Sequence, residues 1–167
     1  DNEIVQTKTI QLNPNENFVL SQSYSWIRDQ NSRYNLVSYS IDGEDFIPIS
    51  RIPRGDFTID VPTDSSHSIV FFAVTQYPLS VKGADEFLFF PQSPTNDNWF
   101  DVDSEVTISV IPPIGVLIIH EVAAWEGPII KSDGNSALVR VDSPTLVKVK
   151  WKENYLPLFI SIIIPIA

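Results

Sequence analysis

The chain has no cysteine and no methionine among its 167 residues. Without thiols there are no disulfides, no thiolate nucleophiles and no cysteine-held zinc or iron–sulfur centres, so stability rests on the core, a metal, oligomerisation or an unusual crosslink. Histidine is nearly missing too, as His67 and His120 are the only two. A catalytic nucleophile needs a base beside it, and a transition-metal site needs several clustered ligands. Ser66-His67-Ser68 opens a predicted strand with no Gly-x-Ser-x-Gly elbow nearby, and His120 ends the apolar run Val116-Leu117-Ile118-Ile119-His120. No enzyme is expected. Cations are scarce, with 11 Lys and Arg against 21 Asp and Glu and a net charge of -10. That is too few to neutralise a run of phosphates, which disfavours a nucleic-acid partner, and none is expected. No Asn-x-Ser/Thr glycosylation signal occurs. The start at Asp1 fits either a mature chain freed of its signal peptide or a trimmed one.

Helix signals are few, because 13 prolines at short intervals interrupt any long helical run. Strand signals are many. Candidates are Ile4–Leu12, Phe18–Tyr24, Leu36–Ile41, Phe57–Val61, Ser68–Thr75, Leu79–Lys82, Phe87–Phe90, Glu105–Ile111, Val116–Ala123, Ala137–Val141 and Thr145–Trp151. Phe57-Thr58-Ile59-Asp60-Val61 and Leu146-Val147-Lys148-Val149-Lys150-Trp151 alternate with period two, as strands wet on one face do. Ile69-Val70-Phe71-Phe72-Ala73-Val74 is apolar on both faces and is expected at the centre of a sheet. Short strands separated by turns predict an all-β chain of one or two β-sandwiches.

An internal repeat favours two. Tyr39-Ser40-Ile41-Asp42-Gly43, Phe57–Val61, Asp64-Ser65, Ile69–Val74 and Tyr77-Pro78-Leu79 form one series. Ala123-Ala124-Trp125-Glu126-Gly127, Ala137–Val141, Asp142-Ser143, Val147–Trp151 and Tyr155-Leu156-Pro157 form the second, in the same order. Gly43 maps to Gly127, Val61 to Val141 and Tyr77 to Tyr155. The expectation is two tandem antiparallel β-sandwich modules of the immunoglobulin-like kind, related by internal duplication. They span residues 1–80 and 81–167, and no flexible linker separates them.

The second half resembles β-sandwich modules of archaeal secreted and cell-surface proteins, particularly thaumarchaeal ones. The resemblance rests on Ser93-Pro94-Thr95 before Trp99-Phe100, and Asp103-Ser104 before Val106-Thr107-Ile108-Ser109-Val110. It continues through Trp125-Glu126-Gly127, Val141-Asp142-Ser143-Pro144 and Val147-Lys148-Val149-Lys150-Trp151 to Tyr155. It covers roughly residues 79–160 and the first half more loosely. It implies an extracellular scaffold module with no chemistry of its own. Members of that family often continue into a C-terminal membrane helix.

Among candidate ligand sites, Asn96-Asp97-Asn98-Trp99-Phe100-Asp101-Val102-Asp103 offers oxygen ligands of the type calcium prefers, with Asp97, Asp101 and Asp103 as the candidates. It lacks the glycine and terminal glutamate of an EF-hand. The other reading is a turn, in which Asn and Asp bond their own backbone. Asp42-Gly43-Glu44-Asp45 and Asp133-Gly134-Asn135 read as hairpin turns. Lys148 and Lys150 are either isopeptide partners or residues of a solvated sheet face. Trp26, Trp99, Trp125 and Trp151, with Tyr24, Tyr34 and Tyr39, form either a sugar platform or packing within the core.

The tail Leu156–Ala167 is apolar, uncharged and follows the second repeat. Pro157 and Pro165 break it, and it is shorter than the about 20 residues of a membrane span. It is a truncated anchor, a last strand kept at home, or a strand donated to a neighbour. Leu158, Phe159, Ile160, Ile162, Ile163 and Ile164 have the β propensity for donation. At the other end Ile4, Val5, Ile10 and Leu12 lie on an alternating segment. The expected function is a non-catalytic extracellular structural protein, a cell-surface or pilus-like filament subunit assembling as a homo-oligomer by strand exchange. The alternative is an extracellular carbohydrate- or protein-binding module. No cofactor beyond calcium is expected, and a membrane partner only if the tail is an anchor.

Overall fold

A computed structural model describes residues 18–50, 56–61, 65–115 and 118–154. Among these there is no helix, so none is long and apolar enough to cross a membrane. The chain divides into two compact units, Asp1–Gln76 and Tyr77–Ala167.

In the first unit, β1 (Phe18–Ser23) pairs antiparallel with β5 (Asp56–Val61). β5 shows why a period-two sequence makes a strand here: Ile59 and Val61 are buried while Asp56, Thr58 and Asp60 are exposed. A second sheet is built on β3 (Ser32–Ile41). It is flanked on one side by β2 (Ser25–Asp29) and the short β4 (Ile47–Pro48), and on the other by the first half of β6 (Ile69–Lys82). The turn between β2 and β3 is held by Asp29, whose carboxylate accepts from the Asn31 amide and the Ser32 hydroxyl, both at 2.7 Å. After β3 the chain reverses at Asp42 (φ 53) and Gly43 (φ 78), closed by the Glu44 amide donating to the Ile41 carbonyl. Two successive positive φ values are what an Asp-Gly hairpin step supplies.

In the second unit one sheet has the order β11–β12–β9–β7. These strands are β7 (Phe87–Phe90), β9 (Ser104–Val110), β11 (Ile129–Asp133) and β12 (Ser136–Val141), all antiparallel. The other sheet sets β10 (Ile119–Glu126) antiparallel to β13 (Thr145–Asn154), and β13 parallel to Leu79–Lys82 of β6. The short β8 (Trp99–Asp101) also pairs with β6. Both sheets feed one core. Phe89, Val106, Ile108, Val110, Val139 and Val141 meet Leu79, Val147 and Val149, with Phe100 among them. Alternation is strict on β13, where Thr145, Val147 and Val149 are buried and Leu146, Lys148 and Lys150 are exposed.

The runs expected at Ser68–Thr75 and Leu79–Lys82 are one strand, β6. Proline at 78 does not break it, because Pro fits a strand wherever no ladder bond needs its missing N–H.

Candidate functional site

The aromatic core of the first unit is only half closed among the described residues. β5 supplies Phe57, β2 Trp26, β3 Tyr39 and β6 Phe71, and Tyr24 lies between β1 and β2. Phe57 stands at the middle, with ring centroids 4.9 Å from Tyr24, 6.5 Å from Tyr39 and 6.3 Å from Phe71. Phe71 in turn stands 6.3 Å from both Tyr39 and Trp26. Such edge and tilted pairs each add about 0.5–1.5 kcal/mol beyond simple burial. Yet all five rings are only partly buried, and so is every residue of β6 from Ile69 to Thr75. On the opposite face of β6, Phe72 stacks edge-on against Phe46 at 4.5 Å, and Phe46 is 61% exposed. Ile69–Val74 pairs with β3 along one edge, and no described strand runs beside the other edge. The result is a row of aromatic faces beside a strand edge that no described strand occupies.

Of the aromatics singled out in the sequence, Tyr24, Trp26 and Tyr39 come together here, joined through Phe57 and Phe71. Phe57 and Phe71 looked like ordinary strand residues in the sequence, and only the pairing of distant strands shows their role. Tyr34 is buried, with the Arg28 guanidinium 5.5 Å from its ring centroid. Trp125 and Trp151 pack against the core of the second unit, and their indole N–H groups donate to the carbonyls of Gly134 and Gly83.

His67 lies where the chain enters β6. Its Nδ1–H donates to Asp42 Oδ2 at 2.6 Å, and its Nε2 is 3.3 Å from the Ser65 hydroxyl. The order matches a hydrolytic triad. However, the serine contact is long for a nucleophile–base pair, and Ser65 is an exposed residue two positions from the histidine. Asp42 also accepts from the Ser68 amide at 2.7 Å, and the Asp42 amide donates to the Ser68 carbonyl. These bonds hold the Asp42 carboxyl below the usual range, the Ser68 amide first and His67 second. The group acts as a clasp between the turn after β3 and the start of β6. His120 donates through Nδ1 to the Pro113 carbonyl at 3.1 Å, with Glu153 3.9 Å from its Nε2.

The acidic stretch is a turn followed by a second turn. Asn96 (φ 53) and Asn98 (φ 65) adopt left-handed geometry, the Thr95 hydroxyl donates to Asp97 at 2.7 Å, and the Ser93 hydroxyl donates to the Trp99 carbonyl. β8 ends at Asp101, and the chain reverses at Asp103 (φ 67), so Asp101 and Asp103 do not lie on one extended run. Asp103 instead accepts two bonds from Arg140. Among the described residues no three His, Asp or Glu side chains gather as a metal site. Lys150 and Lys152 lie on the open face of β13, paired with Glu126 and Glu121. Lys148 is exposed on the same face. The candidate interface residues Ile4, Val5, Ile10, Leu12, Leu158, Phe159, Ile160, Ile162, Ile163 and Ile164 lie outside the described residues.

Compared with protein-family models, curated proteins and solved structures, the chain matches none.

Proposed function

We propose that this chain is a non-catalytic extracellular structural protein, a cell-surface or pilus-like filament subunit that joins its neighbours by lending a strand. The observation that carries this reading is β6. Leu79–Lys82 follows directly from the last strand of the first unit and pairs in parallel with Thr145–Lys148 of β13, placing Leu79 in the core of the second unit. A strand that arrives before β7 thus fills the sheet place beside β13.

Two further features support tandem immunoglobulin-like sandwiches. The order β11–β12–β9–β7, with β10 and β13 in the other sheet, follows the D-E-B-A order of that architecture with C and F opposite. In this scheme Leu79–Lys82 takes the place beside F that a final G strand usually holds. Duplication is supported by two pairings that recur. β1 with β5 and β9 with β12 are both antiparallel and end at Val61 and Val141, and β3 with β6 is matched by β10 with β13. On this scheme residues after Tyr155 correspond to those after Tyr77, so they form the strand available to the next subunit. Donation from one copy to another is heterologous and does not close on itself, which gives a filament. The acidic, cysteine-free composition and the resemblance of the second half support an extracellular, archaeal-type setting.

The aromatic row of the first unit favours one competing reading, an extracellular carbohydrate- or protein-binding module. Electron microscopy and light scattering on the full chain and on a variant lacking residues 156–167 separate the two. Strand exchange predicts polymers for the full chain and monomers for the shortened one. Polymers that survive the deletion, or a full chain that stays monomeric and binds polysaccharide, reject it.

A further inference from the structure

We infer that the acceptor for strand donation is the half-open aromatic core of the first unit, and that its occupant is the segment Leu158–Ile164 of a second copy, lying beside Ile69–Val74 of β6. This rests on the strand-exchange reading and names the surface that the reading needs.

Three observations point to that occupant. The first is that the place is vacant in one unit and filled in the other, as far as the described residues show. β13 has β10 on one edge and Leu79–Lys82 on the other, and it buries Val147 and Val149. β6 between Ile69 and Val74 has β3 on one edge only and buries none of its side chains fully. The second is the chain relation. Leu79–Lys82 follows Tyr77-Pro78, and Leu158–Ile164 follows Tyr155-Leu156-Pro157, the corresponding point of the second repeat. The third is the pattern of the segment. In an extended strand Leu158, Ile160, Ile162 and Ile164 share one face, all of them aliphatic, while Phe159, Ser161 and Ile163 share the other. An entirely aliphatic row suits a core whose half-buried lining is Tyr24, Trp26, Tyr39, Phe57 and Phe71, because it brings no polar group that needs a partner.

The rival occupant is this chain's own segment Ile4–Leu12, whose corresponding row is Ile4, Gln6, Lys8, Ile10 and Leu12. Placing that row against the aromatic rings would bury an ammonium and an amide, a heavy desolvation cost that the aliphatic row avoids. By the relation of Leu79–Lys82 to β13, the donated strand runs parallel to β6.

The absence of cysteine makes a direct test clean. Two populations of full chain are mixed before assembly and then oxidised, one carrying Ser161→Cys and the other Val70→Cys or Val74→Cys. An intermolecular disulfide is expected with one of the two β6 positions and not with a control Cys at Ser132 on β11. Alongside, Ile162→Asp is expected to cut polymer mass at least tenfold, while Ser161→Asp, on the opposite face, leaves most of it. Circular dichroism of Ile162→Asp is expected to match the parent, since the segment acts on another copy. If polymers form and Ile162→Asp removes them, but no β6 crosslink appears, the acceptor is wrong and strand exchange stands. If a single chain carrying both cysteines crosslinks only to itself, the site is right but the strand stays at home, and strand exchange fails. Equal loss from both aspartate variants overturns the assigned face.

Discussion

Gly83 and Gly134 both have positive φ, at 84 and 52, yet their surroundings differ. A Cβ at Gly83 would run into the carbonyl oxygen of Val149, and the Trp151 indole already donates to the Gly83 carbonyl. A Cβ at Gly134 would meet nothing within 4 Å. Gly134→Ala is therefore expected to cost only the backbone strain, about 1–2 kcal/mol. Gly83→Ala adds an overlap with backbone that cannot turn aside and is expected to cost more than about 3 kcal/mol. Urea denaturation of the two variants decides, and equal losses would remove the close-approach argument. Charge acts at the same scale. Asp42, Asp29 and Glu126 are all held below the usual carboxylate range, mainly by the Ser68 amide, the Ser32 hydroxyl and Lys150 respectively. A depressed folded value contributes stability that is present above the unfolded value near about 4 and is lost as pH falls through the folded one. The melting temperature should thus fall on acidification below about pH 4, and less steeply for Asp42→Asn than for the parent. Parallel melting curves across that window would show that the clasp carries no linkage.

At the scale of elements, β6 decides most. Leu79 is 1% exposed and reaches the second unit's core from the strand that leaves the first, whereas Leu146, on the outer face of β13, is 39% exposed. Leu79→Ala should cost about 2–5 kcal/mol by leaving a cavity. Leu146→Ala should stay within about 0.5 kcal/mol. If thermal melts show the two to be similar, Leu79–Lys82 is not part of that core. β5, β9, β12 and β13 were legible in the sequence because one wet face forces strict alternation, and β7 because Gly and Pro bound an apolar run. β2, β8 and β11 were not. Ser25–Asp29 has two apolar residues, and Trp99–Asp101 is three residues long within a polar stretch. Ile129–Asp133 is an edge strand whose exposed Lys131, Ser132 and Asp133 weaken its pattern. Both hairpin turns were visible, since Asp-Gly and Gly-Asn steps encode their own φ values. The aromatic row was not, because Tyr24, Tyr39, Phe57 and Phe71 meet only through pairings between strands far apart in the chain.

At the scale of the whole molecule, the net charge of -10 bears on how copies would meet under the proposed strand exchange. Two such chains repel at long range, and the repulsion is screened beyond a Debye length of about 10 Å at 0.1 M salt and about 30 Å at 0.01 M. A donated strand with no charge gains nothing from opposite charges and loses nothing to salt at the contact itself, because its drive is apolar burial. The two terms therefore point the same way. Raising salt should weaken the repulsion between copies while leaving the attraction in place, so polymer mass at equal protein concentration should rise between about 0.01 M and 0.3 M sodium chloride. Assembly through the exposed Lys and Glu pairs of β10 and β13 would behave in the opposite sense, since salt screens the attraction that holds it. Sedimentation of the full chain across that range separates the two, and polymer mass that falls with salt would move the contact from the aromatic core to the charged face.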